Sequence, residues 1–193
     1  LGKGGRIGAG QSFGGTESND YVVVNPCGID VQTNTISFWF QNRQLLAQRA
    51  MVSVGGSPGD TGPYLIFLHG AGSGALSLFS GNTYVSVLSA TATGRWYHVA
   101  IRRDGAAVRV YVDGQLQLDT TLGSGGNPGA LWWGTGYSGY LRGGLDEGRL
   151  AATARSVEWI RAEWGNVVSN AFWTGYGEVY ATGRRLFVVK GCQ

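Results

Sequence analysis

Few residues of this chain have types and spacings that could do chemistry, and the densest group of them is aromatic. The segment G-A-L-W-W-G-T-G-Y-S-G-Y-L-R-G carries Trp132 and Trp133, followed by Tyr137 and Tyr140. Exposed rings of this kind stack on the apolar faces of sugars. If the segment begins as a strand, Leu131 and Trp133 share one face and Trp132 takes the other, so one tryptophan must lie outside the main core. Trp132, Tyr137 and Tyr140 are therefore the candidate ligand-binding residues. The competing reading is an aromatic cluster packed beneath a helix or against a neighbouring subunit.

Nucleophilic and metal chemistry find less support. No serine stands in a G-x-S-x-G elbow. The two histidines, His69 and His98, are remote from each other, and neither has a His or Cys at metal-binding spacing. His98, in W-Y-H-V-A, is expected on a sheet face opposite Tyr97 and Val99, and His69, before Gly70, at the end of a strand. Two cysteines, Cys27 and Cys192, do not make a zinc site. They either close a disulfide over almost the whole chain, stabilising by roughly 4 to 5 kcal/mol, or stay as two free thiols.

Strands are expected to position these groups. The stretch from Gly94 to Gly114 reads as two alternating strands, Trp96 to Arg102 and Val108 to Val112, joined at Asp104-Gly105 and closed by Asp113-Gly114. Asp-Gly between alternating apolar runs is the strongest short-range hairpin signal, because glycine accepts the positive φ of a primed turn. Similar runs cover Gln11 to Phe13, Tyr21 to Val24, Thr35 to Gln41, Leu45 to Val54, Tyr64 to His69, Ala75 to Phe79 and Thr83 to Leu88. They resume at Gln115 to Leu118, Leu131 to Trp133 and Gly144 to Leu150, with two more at Glu178 to Tyr180 and Arg185 to Val189. Turn signals recur about every 8 to 12 residues, the spacing of a sandwich or barrel. One helix breaks the pattern: Thr153 or Ser156 caps it, and Val157, Ile160 and Trp164 fall at helical spacing.

Composition agrees with a single all-β domain over residues 1–193. Hydrophobic residues make up 43% and charged residues 14%, which excludes disorder, and the 34 glycines show no three-residue period, which excludes collagen. The net charge is only +3, with 15 basic residues spread among 12 acidic ones, so no basic patch for nucleic acid is expected. No apolar run approaches the ~18 residues needed to cross a membrane as a helix. The start lacks Met and a hydrophobic signal region, so the chain reads as a mature product or a piece of a larger protein.

The pieces Q-S-F-G-G-T-E-S-N-D-Y-V-V-V, I-S-F-W-F, G-R-W-Y-H-V-A-I-R-R-D-G, V-R-V-Y-V-D-G, L-R-G-G-L-D-E-G-R-L and S-V-E-W-I-R-A-E-W, in that order, span roughly residues 10 to 165. Together they resemble the LamG-like jelly-roll group of the concanavalin A-like lectin/glucanase superfamily. The resemblance implies two antiparallel sheets packed face to face, with Trp39 and Trp96 in core positions. It fades after about Asn166, so residues 166–193 are expected to pack as an extension on this domain or on a partner. Hydrolases of the superfamily usually carry Glu-x-Asp-x-Glu along one strand, which sets two carboxylates roughly 5 to 5.5 Å apart on one face. No such run occurs here, and Asp146 and Glu147 would point to opposite faces of a regular strand. Catalysis is not expected. Members also often hold a structural calcium through a late-strand Asp and oxygens near the chain's beginning, which implies Asp146 and Asp20 as ligands.

The expectation is a lectin-like recognition module without catalytic activity, facing carbohydrate or glycoconjugate on an extracellular or virion surface. The alternative is a structural module of a bacteriophage particle or bacterial surface protein, bound to protein partners in a larger assembly. One fold hosts both.

Overall fold

A computed structural model of the chain describes residues 3–4, 6–7, 9–14, 20–25, 27–45, 49–55, 66–69, 74–80, 83–123, 129–136, 139–168, 175–176, 180–182, 185–187 and 190–191. The Asp-Gly hairpin forms as expected. Its strands, Trp96–Asp104 (β9) and Ala107–Val112 (β10), turn at Gly105, whose φ is 62°, and β10 leads through Asp113-Gly114 into Gln115–Thr121 (β11). Asp113 holds a positive φ of 50°, and its carboxylate accepts the His98 N–H at 2.9 Å and Arg95 Nη2 at 2.8 Å. A side chain that reaches the neighbouring strand in this way offsets the cost of the left-handed backbone.

Seven antiparallel strands form one sheet. Their spatial order is Lys3–Gly4 (β1), Ala9–Phe13 (β2), Gly143–Ala151 (β15), Thr33–Asn42 (β4), then β9, β10 and β11. Six more form the second: Val22–Val24 (β3), Ala130–Trp133 (β12), Arg49–Gly55 (β5), Ile66–His69 (β6), Leu76–Ser80 (β7) and Thr83–Leu88 (β8). A small hairpin, Thr135–Gly136 (β13) with Gly139–Tyr140 (β14), follows β12. After the helix Val157–Val168 (α1) come two further ladders: Gly175–Tyr176 (β16) with Lys190–Gly191 (β19), and Tyr180–Thr182 (β17) with Arg185–Phe187 (β18). The turn spacing allows a sandwich or a barrel, and the two antiparallel sheets make it the jelly-roll sandwich that the resemblance implies.

The core lies between the sheets. Ile36, Phe38 and Phe40 of β4 and Tyr97, Val99 and Ile101 of β9 face Val52, Val54, Leu76, Leu78, Leu131 and Trp133. Each such fully buried side chain stabilises by roughly 1.5 to 3 kcal/mol. Because every second residue of β4 and β9 points inward, the residues between them form a second, outer layer. There Ala100, Tyr111 and Ile160 cluster with Val157 and Trp159, so α1 lies over the outside of the seven-stranded sheet. Ser156 caps this helix by accepting the Trp159 N–H at 3.2 Å.

The expectation of core positions holds for Trp39 by burial, at 2% exposed, and fails for the half-buried Trp96. Neither Trp39 nor Trp96 sits between the sheets. Trp39 is buried on the outer face, where its ring lies 5.2 Å from the His98 ring and 5.3 Å from the Arg6 guanidinium. Trp96 is half-buried on that same face, over Gly144, where a Cβ would come within 2.9 Å of its ring. Tyr97 and Phe40 take the inward positions and stack on each other with centroids 5.3 Å apart.

Candidate functional site

The outer face of the seven-stranded sheet is closed by a polar contact with α1. Glu163 projects from the helix and accepts the Ser37 hydroxyl at 2.8 Å and Arg149 Nη1 at 2.9 Å on the same oxygen, Oε1. Its other oxygen lies 3.6 Å from His98 Nε2, with both side chains almost wholly buried. Burial pushes the Glu163 carboxyl up, but His98, Ser37 and Arg149 together outweigh it and hold the group below the usual carboxylate range. Ser, His and Glu thus meet, yet in the order Ser–Glu–His. The serine hydroxyl is spent on the carboxylate and nothing activates it toward a substrate. This cluster anchors a helix.

The six-stranded sheet carries the aromatic residues singled out above. Register places Val23 opposite Trp132, Trp132 opposite Ser53, Ser53 opposite Ile66, Ile66 opposite Phe79 and Phe79 opposite Tyr84. Directly paired residues share a face, so Val23, Trp132 and Ser53 lie together on the side away from the core, as do Phe79 and Tyr84, with Ser53 and Phe79 themselves buried. Leu131 and Trp133 turn inward, as alternation requires. Trp132 turns outward, half-buried, and its indole N–H donates to the Gly55 carbonyl at 3.2 Å. Tyr21, 47% exposed, leans on it with ring centroids 5.3 Å apart. At the opposite edge Tyr84, 48% exposed, covers Phe79 at 4.5 Å.

Of the three candidate ligand residues, Trp132 thus stands on an outer face with a ring neighbour. Tyr140 is half-buried in β14, paired with Thr135, in a hairpin that packs beside β5. Tyr137 lies outside the described residues, as does Cys192 and with it any pairing to Cys27. Two aromatics not selected from the sequence, Tyr21 and Tyr84, join the face. Strand alternation was enough to find them, since Tyr21 is two residues before Val23 and Tyr84 alternates with the inward-facing Val85 and Val87.

The implied calcium ligands behave differently. Both oxygens of Asp146 accept backbone N–H groups, Oδ2 from Ile7 at 2.8 Å and Oδ1 from Glu147 at 2.9 Å. Asp20 stands half-buried just ahead of β3. Among the described residues no group of three or more His, Cys, Asp or Glu comes together, so a calcium at Asp146 or Asp20 would draw most of its six to eight oxygens from backbone carbonyls, amides or water. The expected alternation of Asp146 and Glu147 also fails. The β15–β4 register shifts between Asp146 and Arg149, and Glu147 takes a φ of 51° inside this bulge. Both residues line one cleft instead of opposite faces.

No helix among the described residues is long and apolar enough to cross a membrane. No curated protein sequence matches the chain. Solved structures do. Domain 4 of an extracellular arabinanase from Geobacillus stearothermophilus, in complex with arabinotriose, is 18% identical, with a TM-score of 0.64 over 82% of this chain and 77% of that one. A protein from Bacteroides ovatus assigned carbohydrate binding is 22% identical, with a TM-score of 0.62 over 78% of this chain. This chain spans only 45% of that protein's length. A carbohydrate-binding domain of a Ruminococcus gnavus sialidase, 15% identical, matches over 70% of this chain and 84% of that one with a TM-score of 0.58. At these identities the likeness is one of fold. Residues 14–161 match the profile of a family in the concanavalin A-like lectin/glucanase superfamily, and the chain belongs to that family.

Proposed function

We propose that this chain is a non-catalytic carbohydrate-binding module of an extracellular or surface protein, and that it lays a glycan on the Tyr21–Trp132 pair. The observation that carries this reading is the outward ring of Trp132, tethered through its N–H to Gly55 and widened by exposed Tyr21 on the sheet that α1 does not cover. Two tilted rings present an apolar surface of the kind a sugar ring covers. The carbohydrate-binding descriptions of the arabinanase domain, the Bacteroides protein and the sialidase domain support the ligand class. This reading assigns calcium no role at the Tyr21–Trp132 pair.

A glycan array and affinity electrophoresis in polysaccharide gels test it. Wild type is expected to be retarded by at least one neutral polysaccharide, and Trp132→Ala to run as in an empty gel. Retardation that survives Trp132→Ala rejects the site. A second reading, an assembly module of a bacteriophage particle or bacterial surface protein, draws on the edge strand β3. There Val22, Val23 and Val24 are all exposed on a strand with one sheet neighbour among the described residues, an arrangement open to pairing with another chain. Binding to no glycan, together with a concentration-dependent increase of mass in solution, favours that reading.

A further inference from the structure

The bulge in β15 opens a second feature that neither catalysis nor the aromatic face uses. A cleft of about 210 Å³ lies at the margin between the two sheets. Trp133, Phe13 and Leu145 supply its apolar floor, and Gln11, Asp146 and Glu147 its polar rim. A regular strand would send Glu147 away from Asp146. The extra residue and the 51° φ of Glu147 bring both to the same opening. Glu147 is steadied there by Arg149, whose Nη2 donates to Oε2 at 2.6 Å. Asp146 is steadied by the two backbone N–H groups it accepts.

We propose that this cleft is a binding subsite for one neutral sugar ring. The inference rests on the carbohydrate reading above for its ligand class and assigns it a separate place. A volume of about 210 Å³ falls below the ~300 to 1,000 Å³ of pockets that enclose drug-sized ligands, so it holds a single ring and not a chain. The floor offers a narrow apolar strip to the C–H face of that ring, from Trp133 (8% exposed) and Leu145 (5%), with the buried Phe13 behind them. The rim is rich in acceptors: each carboxylate oxygen keeps a lone pair beyond the hydrogen bond it already accepts, and Gln11 adds an amide. Sugar hydroxyls are the matching donors, and a hydroxyl on a carboxylate makes a charge-assisted bond. Two carboxylates against the single Arg149 leave the rim negative, so uronic and sialic acids are disfavoured.

Protein-observed NMR, following the Trp133 indole N–H and the Gly148 amide, tests the subsite with L-arabinose, D-galactose and N-acetylglucosamine as neutral probes and glucuronate as the anionic one. At least one neutral sugar is expected to shift both resonances in a saturable way, and glucuronate is not. Glu147→Gln is expected to raise the dissociation constant about tenfold, in line with loss of one charge-assisted hydrogen bond. Glu147→Gly relieves the positive φ, so it should be at least as stable as wild type and still lose the sugar, which a purely structural role would not produce. The subsite is rejected if no neutral sugar moves these resonances, if Glu147→Gln binds like wild type, or if glucuronate binds as well. Because polysaccharide retention reads Trp132 and the titration reads Glu147, either site can fail while the other stands.

Discussion

Replacing Glu163 tests whether the helix is held to the sheet by a buried carboxylate. In Glu163→Ala the Ser37 hydroxyl, 1% exposed, loses its acceptor, and an unsatisfied buried polar group costs about 1 to 3 kcal/mol. Arg149 loses one of its two carboxylate partners but keeps Glu147, and its side chain is 45% exposed to water, so that part adds less than about 1 kcal/mol. The expected total at neutral pH is about 1 to 4 kcal/mol. Glu163→Gln keeps an acceptor for Ser37 and Arg149 and removes only the charge, so about 1 kcal/mol is expected. The pH dependence separates charge from packing. The folded-state value of Glu163 lies below its unfolded value, so its contribution is fully present above roughly pH 4.3 and disappears as pH falls through the depressed folded value. Urea unfolding at pH 6 and pH 3 reads this directly. The gap between wild type and Glu163→Gln should be present at pH 6 and smaller at pH 3. A gap unchanged between the two pH values refutes the reasoning. So does a Glu163→Gln protein as stable as wild type at pH 6, an outcome that buried ion pairs sometimes give.

Binding to a polysaccharide should weaken by about 30-fold in Trp132→Ala, equivalent to roughly 2 kcal/mol for a central aromatic, with a smaller loss in Tyr21→Ala, both read by affinity electrophoresis. Gly134→Ala should unfold at markedly lower temperature than Gly105→Ala by calorimetry. Both glycines have positive φ, but a Cβ on Gly134 would clash with the Phe13 ring, whereas one on Gly105 meets nothing within 4 Å. The backbone alone costs about 1 to 2 kcal/mol at Gly105, and the clash with a core ring adds to it at Gly134. Arg103→Ala should cost about 3 kcal/mol or more in urea unfolding, since the fully buried side chain donates to Gly105 O at 2.9 Å and Gly123 O at 2.6 Å and so ties the β9–β10 turn to the end of β11. Addition of EGTA should leave the melting temperature unchanged, because the Asp146 oxygens are held by the Ile7 and Glu147 N–H groups; a drop of several degrees would show a bound cation.

What could be read from the chain and what could not divide along local and distant causes. The hairpin of β9 and β10 was legible because Asp-Gly acts through the φ of its own residues. The opposite facing of Trp132 and Trp133 was legible because β12 is regular, with Leu131, Trp132 and Trp133 in unbroken register against β5. Where one extra residue enters a strand the inference inverts. The bulge after Asp146 places Glu147 beside it, although both residue types and the glycine that follows were in view. The helix was visible from its period and its Ser156 cap. Which sheet it covers was not, because that depends on a contact between Ser37 and Glu163, 126 residues apart.

That distant contact also decides where a ligand can meet the protein. Trp39, His98 and Tyr111 alternate outward from β4, β9 and β10 as plainly as Trp132 does from β12, and as isolated strands all four would read as a ligand face. Over the seven-stranded sheet α1 brings Ile160 onto Ala100 and Tyr111, and Glu163 onto Ser37 and His98, so that aromatic layer becomes a second core. The six-stranded sheet keeps exposed rings at both edges, Tyr21 beside Trp132 and Tyr84 over Phe79. Counting strand steps of about 4.8 Å, the rings of Trp132 and Tyr84 stand four strands and hence roughly 19 Å apart along the sheet. A ligand that touched both would need to be a chain of several sugar units. Tyr84→Ala then becomes informative: it should weaken binding of long oligosaccharides and leave short ones unchanged, whereas an equal loss for both lengths would mean that Tyr84 acts on the fold and not on the ligand.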